Sequence, residues 1–541
     1  MPTGQAPTRI GDAPAKPPRP NPIAILTRHF ETAYRLVNDS GRAYAIPGRV
    51  SGHQLEAEGT PGVALPVGAE LRRKIVRVAR HKDGCGMIGR EVADKVLLQL
   101  EAKAFETPPT PLSLRFAERP STPHDVSPRV WLDLGRADGQ SIVVRRDGWR
   151  IEPGQGHPEV VWRRTKATGG ELPMPVHGGR LVDLAPLLDL DPDGDVFACL
   201  LGWVLGLPFV SSVRPGILLL GPPGSGKSTR LRLAASVFEP SDIEALGKAF
   251  GRNIDNDEVR ALHRAVPLWD NLGSVSTTAS DSFCCLVTGT AREGRTLYTN
   301  DEISTQPIRR PIGMTAVGQP AGFQPDALDR LIVLEAPPVV YKDDATVQTG
   351  IRRSAAEGAR GGPRRRSVAL RWRAQVKAPT RYRMAAHAHL LTALDAAVEA
   401  GELPGCPRGL LDRYGTAMRE TRAKTVRDDS FGGPLLDLLE KQPDGTWQGT
   451  ATELLGAVAW ATGADRFAPG WPKTARAVPN ALNHLRGGLA DHGATWTTTT
   501  VRGNTTPKGT PYSPWLTCAY SPGGARGARG ALCPGTLSVL K

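Results

Sequence analysis

The chain has few of the features that mark secreted or membrane proteins. Its seven cysteines are Cys85, Cys199, Cys284, Cys285, Cys406, Cys518 and Cys533. An odd number without a CxxC pair argues against a disulfide framework or a zinc site and for a reducing cytoplasm. The N-terminal stretch MPTGQAPTRIGDAPAKPPRPNP has no apolar core and does not read as a signal peptide. The longest apolar run, Val196–Val210, is broken by Gly and Pro. It falls short of the roughly 20 residues a membrane-spanning helix needs and reads as a buried helix. The expectation is a cytoplasmic protein with no membrane partner.

What is present is length and positive charge. At 541 residues the chain exceeds one hydrophobic core, and about two to four domains is the prior. The net charge is +14, from 68 Lys/Arg against 54 Asp/Glu. Much of it is local. From Lys342 to Arg383 stand twelve basic and three acidic residues, a surplus of nine. Such a surplus permits a polyanionic partner, although a solvated basic surface or one basic tail explains it equally. With 60 Gly and 48 Pro in the chain, single glycines carry little weight as signals.

Composition and periodicity divide the chain into segments. Residues 1–22 are Pro-rich and read as a disordered tail. Residues 23–185 read as an N-terminal α+β region. Its helical patterns lie at Val67–Ala79 and Arg90–Phe105, and the runs 130–134, 141–145 and 160–164 read as a small antiparallel sheet. Residues 186–341 alternate strand and helix patterns, which implies a mostly parallel sheet. Residues 342–383 read as a basic linker, 384–430 as a helical segment, 431–520 as a separate small domain, and 521–541 as a low-complexity tail.

The chemistry-bearing motif follows the apolar strand Gly216–Leu220. The residues Gly221, Pro222, Pro223, Gly224, Ser225, Gly226, Lys227 and Ser228 fit GxxxxGK[ST] in full, and a helical pattern opens at Thr229. Backbone N–H groups at a helix N-terminus converge on phosphate there. Lys227 is expected to reach the β/γ-phosphates of ATP, and Ser228 to bind Mg²⁺. The run 265–271 reads as the metal-binding strand, with Asp270 at its end sharing the Mg²⁺. Pro267 has no N–H to donate, so that part of the strand is expected at a bulge or an edge. Asn271 can orient a water but cannot take its proton, which leaves the base unassigned, with Asp281 a weak candidate. Thr315, ending the apolar run 312–315, is a candidate γ-phosphate sensor. Arg330, before the strand 331–334, is a candidate arginine finger acting across a subunit interface. The bland alternatives are a helix cap at Asp270, an ordinary strand-end threonine, and a salt-bridged Arg330.

These motifs together resemble the AAA+ ATPases of the superfamily-3 helicase type, found in phage and plasmid primase–helicases. More narrowly they resemble a group of actinobacterial mobile-element ATP-binding proteins. The residues that carry the resemblance are the phosphate loop, 268–271, 280–289, 295–299 and 328–332, with upstream echoes at 130–134, 148–149 and 161–165. The resemblance implies an α/β fold with a P-loop NTPase (AAA+-like) core, an N-terminal α+β region and a C-terminal winged-helix-like domain. It implies an ATPase with ATP and Mg²⁺ as cofactors, DNA as partner, and a homo-oligomeric ring in which Arg330 reaches a neighbour's nucleotide. By analogy with a DNA-facing hairpin in related helicases, Arg292 and Arg295, with Arg309 and Arg310, are candidate phosphate contacts. Pairing of these arginines with nearby acids is the alternative. Three departures stand out: Thr315 where Asn is usual, Asn271 where a second acid is usual, and the Arg/Gly-rich 348–383. Residues 1–180 show no carboxylate cluster like a primase site, so no primer synthesis by this chain is expected; a separate primase or replication protein is a candidate partner.

In the last segment a capping box, Thr450 to Glu453, opens a helix. A third helical pattern runs from Trp471 to Gly493, with Pro479 and Gly487-Gly488 expected to weaken it. Two strand-like runs follow. Lys473, Arg476, Asn480, Asn483 and Arg486 on that helix, with Arg502 and Lys508 on the wing, suit DNA contacts. A protein-binding module is the alternative. The reading that results is an ATP-driven, helicase-type protein acting on the DNA of a mobile element. The rival readings are an ATP-dependent switch with slow hydrolysis and a small-molecule kinase.

Overall fold

A computed structural model describes residues 21–48, 59–119, 128–153, 160–168, 170–176, 178–240, 246–295, 303–320, 322–339, 349–350, 352–356, 362–502 and 512–520. Residues 1–20, 521–541, 341–348 of the basic stretch, and 503–511 with Lys508 lie outside the described residues.

The first helix, Pro22–Ala33, starts inside the expected tail. Asn21 caps it by accepting the Ile23 N–H at 3.0 Å, and Pro22 opens its first turn, where a missing N–H costs nothing. An antiparallel hairpin follows, Tyr34–Asp39 with Arg42–Pro47. Its turn residues Ser40 and Gly41 have φ of 50° and 75°, the mirror-image turn that matches strand twist. The sequence reading misses this hairpin because its residues are buried with little alternation. Helices Ala69–His81 and Arg90–Phe105 pack on the first helix through Leu26, Phe30, Leu71, Ile75 and Leu100.

The expected small sheet is present with a different membership. Phe116–Arg119, Arg129–Asp133, Ser141–Arg145 and Gly148–Glu152 form it in that order, all antiparallel. The run at Val161–Trp162 leaves this sheet and pairs parallel with Leu112–Ser113. Side chains of the sheet (Phe116, Val130, Leu132, Val144) belong to the same apolar cluster as Ile217, Leu219 and Leu231 further on. The boundary drawn at 185/186 therefore passes through a shared core.

Helix α1 (Asp195–Gly206) is buried nearly all round, as the apolar run implied. It lies under a five-stranded sheet of β1 (Gly216–Leu220), β2 (Leu246–Lys248), β3 (Leu268–Leu272), β4 (Gly313–Ala316) and β5 (Leu331–Glu335). The order is β2-β3-β4-β1-β5, and every pair is parallel. Helix α2 (Lys227–Ser236) follows β1. Helix α3 (Thr277–Thr288) follows β3, its N-terminus capped by Ser276, which accepts the Ala279 N–H at 3.1 Å. A two-stranded hairpin, Thr290–Arg295 with Ile303–Ile308, projects between α3 and β4. Pro267 needs neither bulge nor edge. It sits just before β3, an interior strand, and only its carbonyl is used, accepting the Gly313 N–H at 3.1 Å. The irregularity falls later, between Trp269 and Leu272.

The basic stretch is not simply a linker. Helix α4 (Gly362–Arg373) packs against the antiparallel sheet and against α5 (Ala385–Glu399). Arg365, Arg366 and Arg373 are buried. The Arg366 guanidinium lies 4.9 Å from the Phe238 ring centre and that of Arg373 5.0 Å from Phe209, while Arg365 donates to the Gly179 carbonyl. Arginine stems and flat guanidinium faces supply the apolar contact that a count of Leu and Val overlooks. Burial pushes the Arg366 pKa down to about 9.

Helix α6 (Leu410–Asp428) joins the central sheet to the C-terminal segment. Lys424 pairs with Glu335 at 3.1 Å, and Gln319 Nε2 donates to Thr425 Oγ1 at 2.9 Å. Arg422 forks to Asp329 (3.3 Å) and to Asp491 (2.7 Å). The C-terminal segment runs α7 (Gly432–Glu440), β6 (Thr446–Gly449), α8 (Ala451–Thr462), α9 (Val478–Asp491), β7 (Ala494–Arg502) and β8 (Tyr512–Tyr520), with sheet order β6-β8-β7. The capping box at α8 is formed: Thr450 Oγ1 accepts the Glu453 N–H at 3.3 Å, and Glu453 accepts the Thr450 N–H at 2.7 Å.

Helix α9 begins at Val478, not Trp471, so Pro479 falls in its first turn and is tolerated. Gly488 does not shorten it, because there the helix meets α6 backbone to backbone. A Cβ at Gly488 would stand 2.6 Å from the Arg422 carbonyl oxygen and closer still to Val426. Gly488→Ala is expected to lower the unfolding free energy by about 1–3 kcal/mol, read as a lower urea midpoint at unchanged slope. An unchanged midpoint contradicts this packing.

Candidate functional site

All five residues of β1 are buried, and the strand delivers the chain directly into the loop 221–228. Pro222, Pro223 and Gly224 form its exposed crest. Gly224 and Gly226 have φ of 80° and 70°, a backbone that favours glycine. A Cβ at Gly226 would stand 2.7 Å from Val339, and one at Gly221 2.5 Å from Ser225 Oγ. The loop is therefore closed too tightly for side chains at those points. Lys227 opens α2 and is 8% exposed. Its ammonium meets only the Pro222 carbonyl, at 3.3 Å, and no carboxylate pairs with it among the described residues. A nearly buried cation without a countercharge, at the positive end of a helix, favours an anion.

Across the loop stands the end of β3. Asp270 Oδ1 accepts the Ser228 hydroxyl at 2.7 Å and the Thr315 hydroxyl from neighbouring β4. Thr315 Oγ1 in turn accepts the Asn271 N–H at 3.1 Å. Asn271 has φ of 56°, a left-handed conformation that asparagine tolerates better than most residues. This kink is the irregularity in the β3–β4 pairing, and bulges commonly re-aim a side chain in this way. Trp269, one residue back, is fixed by its indole N–H donating to Asp257 at 2.8 Å. Burial raises the Asp257 pKa, opposed by the Gly251 N–H and the indole N–H. Thr315 is fully buried and gives its one proton to Asp270. In this arrangement the hydroxyl orients the Asp270 carboxylate.

Arg230, absent from the sequence reading, organises the site. Its guanidinium is 2% exposed and donates to four carbonyls: Leu188 (2.8 Å), Ser225 (2.8 Å), Pro337 (2.6 Å) and Asp189 (2.9 Å). One side chain thus ties the phosphate-loop motif to the segments before β1 and after β5. Burial lowers its pKa and Asp189 opposes the shift. The only signal in the sequence was a cation on the inward face of α2. Beside this clamp opens a cavity of about 270 Å³ lined by Leu187, Leu188, Asp189, Thr229, Leu233 and Val339 together with the loop. Apolar walls next to an anion-favouring loop suit a base attached to a phosphate chain.

The remaining candidates are placed elsewhere. Arg330 lies at the start of β5, its carbonyl accepting the Gly216 N–H at the beginning of β1 (2.8 Å). The loop leaves the far end of β1, on the order of 16 Å away at strand rise. The Arg330 side chain is 11% exposed, pairs with Asp326 at 2.7 Å and approaches Cys284 Sγ at 3.4 Å. Burial pushes the Cys284 thiol up to about 12. Asp281 is exposed on α3. Arg309 and Arg310 are structural. Arg309 donates to the Thr288 and Ser211 carbonyls, and Arg310 to those of Ala261, Arg264 and Arg309. Arg310 has its pKa pushed down to about 10, first by burial and then by Arg163. Arg292 on the hairpin pairs with Glu258 at 3.6 Å. Only the backbones of Arg295 and Arg502 are described. Lys473, Arg476 and Arg486 are exposed, and Arg486 lies 5.2 Å from the Trp496 ring centre.

No cluster of three or more His, Cys, Asp or Glu that could hold a metal stands among the described residues. A magnesium carried by a triphosphate needs only one or two protein oxygens, and the Ser228–Asp270 pair fits that donor set. No helix among the described residues is long and apolar enough to cross a membrane.

Comparison with known proteins gives the following. Residues 190–414 match the model of the actinomycete integrative conjugative element replication protein, and residues 431–510 match that of the AICE RepA C-terminal domain. Together they span more than half of the chain. No curated protein matches. Among solved structures, the SCCmec type IV Cch active helicase is 12% identical with a TM-score of 0.43, covering 89% of this chain and 92% of that one. The NrS-1 C-terminal region is 11% identical with a TM-score of 0.40, covering 91% and 98%.

Replacing Arg230 with Ala leaves four carbonyls short of a donor. The expected cost is about 2–4 kcal/mol of stability, read by chemical denaturation. An unchanged denaturation midpoint contradicts the clamp.

Proposed function

This chain belongs to the actinomycete integrative conjugative element replication proteins, and from that premise we propose that it is an ATP-hydrolysing, AAA+-like motor that works on DNA. The observation that carries the proposal is the convergence of Lys227, Ser228 and Asp270 on one space at the end of β1. Backbone amides of 221–228 and the Lys227 ammonium hold the triphosphate tail. Ser228 and Asp270 hold its Mg²⁺. The bound Mg²⁺–ATP supplies a reactive phosphoryl group and part of the countercharge it needs in transfer. Thr315 keeps Asp270 in place, and Leu187, Leu188 and Val339 exclude water beside the base.

Arg330 lies too far along β1 to serve the loop of its own chain. As an arginine finger it acts on a neighbouring subunit, which requires a homo-oligomeric ring and release from Asp326. For DNA contact the reading rests on the C-terminal segment, whose order α7, β6, α8, α9, β7, β8 suits a winged helix. There Lys473, Arg476 and Arg486 are exposed for phosphate contact. Arg292 is a further candidate on the hairpin. A separate primase or replication protein completes the system.

One observation favours a second reading. Asn271, where a second acid would take the water's proton, offers none, and its N–H is held by Thr315. On that reading ATP controls assembly and is hydrolysed slowly. ATPase rates with and without single-stranded DNA separate the two. The motor predicts turnover stimulated by DNA and a loss on the order of 100-fold or more in Lys227→Ala and Asp270→Ala. The switch predicts slow turnover indifferent to DNA. Equal rates in all three proteins contradict both.

A further inference from the structure

Two rings on the C-terminal segment lie almost wholly in solvent. Trp460 is 89% exposed and Phe467 88%, and neither joins the apolar core beneath them. Trp460 stands in the last turn of α8. Phe467 stands in the turn after the left-handed cap at Gly463, held where its N–H donates to the Asp465 carboxylate at 2.8 Å. Two large aromatic rings left this exposed seven residues apart invite the question of what they contact.

An ammonium meets the backbone one residue from each ring. Lys441 Nζ donates to the carbonyl of Ala461, the residue after Trp460, at 2.9 Å. Lys473 Nζ reaches the carbonyl of Arg466, the residue before Phe467, at 3.4 Å. Lys441, Arg466 and Lys473 are exposed, and none pairs with a carboxylate among the described residues. Asp465 is the one acid between residues 460 and 474, and it caps the turn. Cations alternating with free aromatic faces are complementary to a polyanion whose bases are accessible. In a duplex those base faces are covered by their neighbours, so a strand with unpaired bases is the partner that uses both features.

We propose that α8 and the loop after it bind single-stranded nucleic acid, with Trp460 and Phe467 stacking on bases and Lys441, Arg466 and Lys473 meeting phosphates. This rests on the DNA-directed reading above and adds to it a surface that shares Lys473 with the contacts proposed there and differs from them in its exposed rings.

The test uses the full chain with a fluorescent oligo-dT and a duplex of equal length, read by anisotropy across a salt series. Trp460→Ala with Phe467→Ala is expected to weaken oligo-dT binding by at least about 10-fold, to leave duplex affinity and the thermal midpoint near the unsubstituted values, and to preserve the assembly mass. Lys441→Gln with Lys473→Gln is expected to lower the slope of log affinity against log salt by about 1.4 for oligo-dT. Unchanged oligo-dT affinity overturns the proposal. So does equal weakening toward the duplex, or a loss of assembly mass without a change in DNA affinity, which assigns the rings to a second copy of the chain. If the unsubstituted chain binds neither DNA, it is the DNA-directed reading that fails.

Discussion

The arrangement around Asp270 depends on a carboxylate being held where two hydroxyls from different strands and loops meet it. Ser228 reaches it from the loop and Thr315 from β4. This works because β4 lies between β1 and β3 in the sheet, and because Asn271 turns the chain left-handed immediately after Asp270. A strand continuing in regular register would send successive side chains to opposite faces. The kink therefore belongs to the site's construction, and a small residue able to adopt positive φ is required at its corner.

A second constraint is arginine used as structural material. Arg230 joins three segments through four carbonyls, Arg310 ties its own strand entry to the end of the helix before β3 through the Ala261 and Arg264 carbonyls, and Arg366 and Arg373 cover aromatic rings in the core. Buried guanidinium groups satisfy several acceptors from one point, which suits places where strand ends leave carbonyls unpaired. Part of the positive charge that pointed toward a polyanion thus does its work inside the fold. The solvent-facing cations near α8 and α9 are a smaller set.

Much of the site was legible in the sequence. The strand Gly216–Leu220, the loop, Asp270 and Thr315 stand together because each follows an apolar strand and parallel strands bring their ends to one edge. The capping box and the helix at Arg90–Phe105 were legible for local reasons: a spacing of three residues and a clean period. What was not legible depended on distant partners. Helix α4 reads as linker because its short apolar run, Val368–Leu370, is flanked by arginines whose burial only the fold reveals. Gly488 reads as a weakness because its neighbour, Val426, lies 62 residues away in α6. Arg230 goes unread in the sequence because its four acceptors come together only in the fold.

The most direct test is the Mg²⁺ dependence of ATP affinity, measured by calorimetry for the unsubstituted chain and for Asp270→Asn. The account predicts that Mg²⁺ tightens ATP binding in the unsubstituted chain and no longer does so in the variant, while Mg²⁺-free affinity is retained. A variant that responds to Mg²⁺ as the unsubstituted chain does contradicts the role given to Asp270.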